Sequence, residues 1–287
     1  MTFTMLIFQQ SGRLGNQIFQ YAALRQLCRS EDELILLGFS ELQSVFTGIK
    51  AKIINGNSPR WERAIYYRIY RFMSFLAQKK IVTTIKESNE CPEIILNFGI
   101  SKKIFFAEKA YFQSELFFQR ETIDILKLKP ELLSFAQQLL LNLTQGRTPI
   151  FVHIRRGDYL AWRTKSHPAV LPASYYQNCI NIICAKIRDP FFVFVSDDPF
   201  YVKDVFGDLE NAYISYGSSI EDFAVMTQCK GGILSASSFA WWAAYLVRMR
   251  QPDSFFLAPK YWIDHRLNSW FPSFIESSFL DYIDVYK

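Results

Sequence analysis

Three polar clusters in this sequence have the residue types needed to grip a phosphate ester and the edge of a base. Arg155, Arg156 and Asp158 follow the apolar run Phe151–Ile154. Ser196, Asp197 and Asp198 follow Phe191–Val195. Ser235, Ser237 and Ser238 follow Gly232–Leu234. Adjacent guanidinium groups can take phosphate oxygens two at a time. Seryl hydroxyls and the free N–H groups at a helix start add fixed donors. A carboxylate such as Asp197 or Asp198 can accept both the N1–H and the 2-amino N–H of guanine, a pairing that adenine does not offer. Together these types point to a guanine nucleoside diphosphate. Each cluster alone has a plainer reading: the arginines as solvated surface, Asp198 as the cap of a helix opening at Pro199, the serines as caps. Asp197 and Asp198 could also hold a divalent cation, although the paired arginines can neutralise a pyrophosphate without one.

For the clusters to converge, the elements between them must set them on one edge. The second half alternates regularly. Strands are expected at Ile150–Ile154, Phe191–Val195, Ala212–Ser215, Gly232–Leu234 and Phe255–Leu257. Helices are expected from Ser174 to about Ile187, from Pro199, over Ile220–Cys229, over Ser238–Arg250 and over Phe271–Tyr286. Strands alternating with helices predict a parallel, doubly wound sheet, and in such sheets ligands bind beyond the carboxyl ends of the strands. All three clusters lie at such ends. In the first half, strands are expected at Met5–Gln9, Glu33–Leu37 and Lys103–Glu108, and a helix at Glu131–Asn142. Between the first strand and the helix that follows stands Gly12-Arg13-Leu14-Gly15-Asn16-Gln17, where two glycines allow close backbone approach to a ligand; a tight strand–helix turn explains the same residues. The polar stretch Leu143–Pro149 marks a domain boundary, giving domains 1–146 and 147–287. Residues 60–80 interleave six Lys and Arg with Trp61, Ile65, Tyr66, Ile69, Phe72, Phe75 and Leu76, the pattern of a basic amphipathic helix. Its plain reading is a surface helix packed on the core; its sharper reading is peripheral contact with an anionic membrane face.

Composition excludes several classes. Of 287 residues, 50% are apolar, enough for a substantial core, which argues against global disorder. A net charge of +5 is too small and too little clustered to argue for nucleic acid, but it suits an anionic ligand. Five cysteines without a Cys-x-x-Cys pair suggest reduced thiols and a cytoplasmic setting. Met1–Gln10 is apolar but short, with no basic flank or Ala-x-Ala site, so it reads as a first strand and not a signal peptide. No stretch has the length of a membrane span. There is no phosphate-binding Gly-x-x-x-x-Gly-Lys-Ser/Thr loop, and three histidines are too few for a His-rich metal cluster.

Read together, four segments resemble the bacterial α-1,2-fucosyltransferases of glycosyltransferase family 11, with wider likeness to the α-1,6- and protein O-fucosyltransferases. They are Gly12-Arg13-Leu14-Gly15-Asn16-Gln17-Ile18-Phe19-Gln20-Tyr21-Ala22; His153-Ile154-Arg155-Arg156-Gly157-Asp158; Ser196-Asp197-Asp198; and Asp222–Cys229 with Ser237-Ser238-Phe239-Ala240-Trp241-Trp242. Ala110–Glu115 is similar to a further segment. Arg13, Ala236 and Ala243 depart from the family's usual glycine, asparagine and glycine. The resemblance implies a GT-B fold, two Rossmann-like domains with a cleft between them. It implies GDP-β-L-fucose as donor, no metal or other cofactor, and inversion to an α-1,2-linked fucoside on a galactose-containing acceptor such as a surface glycan or O-antigen unit. On this resemblance Arg156 holds the departing β-phosphate, assisted by Arg155, Ser237 and Ser238. His153 and Asp197 or Asp198 hold the guanosine, and Asn16 lies near the reacting sugar. Gly12, Arg13, Gly15 and Phe239 complete the donor-binding set. Asp158 is either the base for the acceptor hydroxyl or a brace for Arg155.

Overall fold

The computed structural model describes residues 5–88, 90–163 and 168–286. Contacts divide the chain into two compact units, one ending at Lys129 and the next beginning at Pro130. This division lies ahead of the 146/147 boundary expected from sequence. The reason is the helix Pro130–Thr144, which packs against the helix Ser219–Gln228 of the second unit.

The first unit runs β1 (Met5–Gln9), α1 (Leu14–Leu27), β2 (Glu33–Leu37), α2 (Ser40–Val45), β3 (Phe46–Thr47), β4 (Lys52–Ile54), α3 (Arg60–Gln78), β5 (Val82–Glu87), β6 (Ile94–Asn97), β7 (Ser101–Ala107), α4 (Arg120–Asp124) and β8 (Lys127–Leu128). Its main sheet has the order β4-β2-β1-β7-β5-β6, parallel except for the antiparallel β5–β6 pair. Gly12, at φ +87°, makes the turn from β1 into α1. The positive φ strains any larger residue there, and a Cβ would also have to displace the Asn16 amide, 2.2 Å away.

The second unit runs α5 (Pro130–Thr144), β9 (Thr148–Ile154), α6 (Ala173–Lys186), β10 (Pro190–Ser196), α7 (Pro199–Phe206), β11 (Ala212–Ile214), α8 (Ser219–Gln228), β12 (Gly231–Ile233), α9 (Ser238–Arg250), β13 (Phe255–Pro259) and β14 (Asp281–Ile283). Its sheet is parallel throughout, in the order β11-β10-β9-β12-β13-β14. Side chains alternate across a strand. Ile150, Val152 and Ile154 of β9 therefore share a core with Phe192 and Phe194 of β10 and with Tyr176, Cys179, Ile180 and Ile183 of α6. The polar residue His153 falls on the opposite face of β9.

The expected helix over Phe271–Tyr286 is not formed. Turns lead instead into β14, which pairs with β13 from Leu257↔Asp281 to Pro259↔Ile283. Pro272 interrupts any helix across the start of this run, and the aromatic and β-branched residues after it suit the edge of a sheet. Among the described residues no helix is long and apolar enough to cross a membrane.

Candidate functional site

In the second sheet the chain winds outward from β9 through β10 to β11, then crosses back to β12 on the other side of β9. The strand order therefore reverses at β9, the place where an open parallel sheet leaves a crevice. Ile154 ends β9, Ser196 ends β10 and Ile233 ends β12, so the three clusters lie on adjacent strands at one edge.

The arginines are held by the carboxylates that follow them in space. Arg155 donates from Nη2 to Asp158 Oδ1 at 2.7 Å and from Nη1 to Asp197 Oδ2 at 2.8 Å. Arg156 donates its backbone N–H to Asp197 Oδ1 at 2.8 Å and its Nε to Asp198 Oδ2 at 3.1 Å, with its guanidinium 3.5 Å from the centre of the Tyr201 ring. Asp198 also caps α7, its Oδ1 accepting from the Tyr201 N–H at 3.1 Å, with Pro199 in the first turn as expected. A Cβ on Gly157 would stand 2.6 Å from Asp197 Oδ2, so the glycine after the arginine pair is what lets this carboxylate close on Arg155. Asp158 lies in a single 3-10 turn, Gly157–Leu160, largely exposed and bound to Arg155.

Tyr159 ties this loop to the third cluster by donating its hydroxyl to the Ala236 carbonyl at 2.7 Å. His153 Nδ1 lies 2.7 Å from Ser235 Oγ, and its ring lies 5.5 Å from that of Phe239, which in turn lies 5.2 Å from Phe223. Ser237 stands at the N-cap of α9 with no capping bond from its side chain, so its plain reading as a cap does not hold; Ser238 and Phe239 open the helix half-buried. Next to Phe223, Asp222 is a buried carboxylate in the first turn of α8 that accepts from Ser215 Oγ at 2.5 Å, just beyond the end of β11.

Burial sets the charge of this edge. Desolvation, reinforced by the Arg155 charge, pushes His153 down to about 3, so the ring is neutral at ordinary pH. Desolvation pushes Asp222 up to about 6 against the bond from Ser215, which favours its ionised form. The two act on stability in opposite senses. Below 6.5 the unfolded chain protonates His153 before the folded chain does, which erodes stability as pH falls toward about 3. Asp222 binds its proton in the fold before it does in the unfolded chain, which adds stability as pH falls from about 6 toward 3.8. Asp222→Asn is therefore expected to steepen the acid-side loss of stability, and His153→Gln to flatten it. Urea unfolding at several pH values in this window measures the slopes; unchanged slopes in both variants would refute the assignment.

The other proposed site residues belong to the first unit. Gly15 is buried in the first turn of α1. Asn16 Oδ1 accepts from Gln113 Nε2 at 2.7 Å, which joins the opening motif to the Ala110–Glu115 segment. Arg13 pairs with Glu41 at 3.2 Å, and the same carboxylate accepts the Leu14 N–H at 2.7 Å. The start of α1 thus already holds an anion from its own chain, where the sequence suggested close backbone approach to a ligand. Sequence reasoning missed Glu41, Tyr159, Tyr201 and Ser215 as members of these clusters, and had Asp222 only as the first residue of the Asp222–Cys229 resemblance. Tyr159 and Tyr201 each stand within three residues of a predicted site residue, which is a usable signal. Glu41 and Ser215 are marked only by folding. Among the described residues no group of three or more His, Cys, Asp or Glu is placed to hold a metal ion.

The family model described as "Glycosyl transferase family 11" matches residues 2–277. The chain is 26% identical to the O-antigen biosynthesis glycosyltransferase WbnK of Escherichia coli, covering 88% of this chain and 93% of that one. It is 24% identical to galactoside alpha-(1,2)-fucosyltransferase 2 of Rattus norvegicus, covering 84% of this chain and 67% of that one. Its fold is similar to the crystal structure of NodZ alpha-1,6-fucosyltransferase co-crystallized with GDP, with a TM-score of 0.51 at 16% identity over 86% of this chain and 93% of that one.

Proposed function

The chain belongs to glycosyl transferase family 11, and from that premise we propose that it moves L-fucose from GDP-β-L-fucose to the 2-hydroxyl of a galactoside, with inversion. The observation that carries the reading is the arginine pair locked at the end of β9, on the sheet's switch point, with Ser237 and Ser238 on the neighbouring strand's exit. The name of the Rattus norvegicus relative supplies the fucosyl, galactoside and α-1,2 parts. The acceptor proposed is a galactose-containing surface glycan or O-antigen unit, by likeness to WbnK. A GT-B arrangement follows from the same premise, with the second unit, 147–287 by sequence and from Pro130 by contacts, as the GDP-fucose side.

In the reaction the bond from fucose C1 to the β-phosphate oxygen breaks and its electron pair leaves with GDP. The acceptor oxygen forms the new bond to C1 from the opposite face, and its proton passes to solvent water. Negative charge grows on the diphosphate as positive charge grows on the sugar. Fixed cationic donors bind that state more tightly than the ground state, and Arg156 is placed in this role, with Arg155, Ser237 and Ser238 beside it. The arginine forks and seryl hydroxyls would donate hydrogen bonds to the pyrophosphate oxygens, and no metal is invoked. Both oxygens of Asp197 and of Asp198 already accept N–H groups from the protein. The guanine edge is therefore better assigned to the buried Asp222, with His153 and Phe239 along the base. Asp158 we assign to holding Arg155. Asn16, with Gly12, Arg13 and Gly15, is assigned to the sugar side of the donor.

GDP release from GDP-fucose, with and without lactose and with and without EDTA, tests this reading. Lactose-stimulated release indifferent to EDTA is the expected result. Loss of release in EDTA would overturn the metal-free mechanism. GDP-fucose bound without release on any galactoside would reduce the protein to a nucleotide-sugar binder.

A further inference from the structure

Helix α3 has two apolar faces, and the fold uses one. Tyr66, Ile69, Tyr70, Met73, Leu76 and Ala77 turn inward onto Ile7, Ile35, Leu37 and Phe106. On the other side Trp61, Ile65, Phe72 and Phe75 are 67%, 45%, 60% and 52% exposed. Their steps of four, seven and three residues follow the helical turn, so the four side chains form one outward line. Arg68 and Lys79 fall on the same line, and Arg60 and Arg71 flank it, all exposed. At the end of the helix the line continues onto a second element: the Ile100 N–H donates to the Lys80 carbonyl, and Phe98 shares a groove of about 940 Å³ with Tyr70 and Ala77. Phe98 and Ile100 are themselves 58% and 84% exposed.

Charge selects the occupant. Residues 60–80 carry six Lys and Arg against Glu62, a net +5 that equals the formal charge of the whole chain. The remainder of the protein is balanced, and the excess is gathered on a segment that also exposes a row of large apolar side chains. A second copy of the chain would set +5 against +5 at this face, which opposes self-pairing. An anionic bilayer answers both features: apolar side chains sink to the acyl boundary while long basic stems keep their charges among the phosphates. With no helix among the described residues able to cross, the helix would lie in the interface. We propose that the outward face of α3 docks the protein onto an anionic lipid surface, with Trp61, Ile65, Phe72 and Phe75 inserted and Arg60, Arg68, Arg71 and Lys79 on the headgroups. This inference lies wholly in the first unit and does not rest on the catalytic reading of the second.

The experiment is co-sedimentation of the full chain with vesicles of phosphatidylcholine alone and of phosphatidylcholine with phosphatidylglycerol. Binding is expected to the anionic vesicles and to weaken as salt is raised. Each basic residue near such a surface is worth about a factor of five, so Arg68→Glu with Lys79→Glu is expected to lower the partition by at least about 25-fold. Phe72→Ser with Phe75→Ser is expected to abolish sedimentation while the melting temperature stays unchanged, since both side chains are solvent-facing. Tryptophan emission is expected to shift to the blue on vesicle addition in the wild type and not in Trp61→Phe. Three results would each overturn the proposal: no wild-type binding to anionic vesicles; binding unaffected by the two serines, which would leave only a polyanion patch; or a concentration-dependent dimer that the serines dissolve, which would make the face a contact between copies.

Discussion

Replacing Arg156 with alanine is expected to lower turnover of GDP-fucose by about a hundredfold or more, the loss typical of removing one preorganised donor from a developing anion. The expectation rests on how the side chain is held. Asp198 takes Nε on the flank of the guanidinium, and the Tyr201 ring supports its face at 3.5 Å. The terminal fork is not what fixes the side chain, so it is available to a phosphate. Asp198 is itself fixed as the cap of α7, which ties the donor to a strand end and a helix start. Such pre-positioning makes a donor worth more in the transition state than in solution. The loss should therefore fall mainly on kcat and less on KM. Stability should change little, because a partly exposed ion pair contributes only about 0–1 kcal/mol. Arg156→Lys is expected to recover only part of the rate: one ammonium cannot both satisfy Asp198 and present a two-pronged fork. Steady-state kinetics with both variants checks this, and wild-type kcat in either would remove Arg156 from the leaving-group role.

The parts of this protein legible in its sequence are those with local causes. Strands buried on both faces read as nearly continuous apolar runs, so Ile150–Ile154, interrupted only by His153, and Phe191–Val195 could be placed and the clusters after them recognised as strand exits. Asp198 before Pro199 announced a capped helix because cap and proline are adjacent in the chain. The helix Ser238–Arg250 was placed to the residue because serines open it and its apolar face is unbroken. What folding added is pairing between distant residues. Glu41 reaches Leu14, 27 positions away, and fills a helix start that looked open. Asp197 bonds Arg155 and Arg156 across 41 or more positions, so its part in reading a base could not be judged from its type alone. The C-terminal segment looked helical by composition, but the open edge of β13 offered its backbone a partner, and tertiary pairing outweighed local preference. β5 and β6 were not foreseen, because one mixes threonines and charged residues with its apolar ones and the other lies half-exposed at the sheet edge.

The same logic separates site from scaffold inside the Ser237–Trp242 motif, and Trp241→Ala is expected to show it. Ser237, Ser238 and Phe239 stand at the strand exit, but Trp241 is fully buried. Its ring stacks on Tyr245 at 5.0 Å and 10°, and meets Trp242 at 5.0 Å and Phe279 at 5.4 Å edge-on. Its Nε1–H donates to Ser277 Oγ at 2.9 Å. Trp241 therefore ties α9 to the turns that lead into β14, the segment whose course the sequence did not foretell. Truncation to alanine removes the ring from a close-packed core and strips Ser277 of its donor. The expected cost is about 3–5 kcal/mol, which lowers the melting temperature by roughly 6–20 °C for a domain of this size. Trp241→Phe keeps most of the packing and loses the N–H, so its cost should be nearer 1–3 kcal/mol. Below the transition, both variants should retain the wild-type KM for GDP-fucose, because the ring partners Tyr245, Trp242, Phe279 and Ser277 lie away from the strand exits, and the backbone bond from Trp241 N–H to the Ser237 carbonyl survives either change. A donor KM raised tenfold with an unshifted melting curve would place Trp241 in the site and make the whole motif, not only its first three residues, part of donor binding.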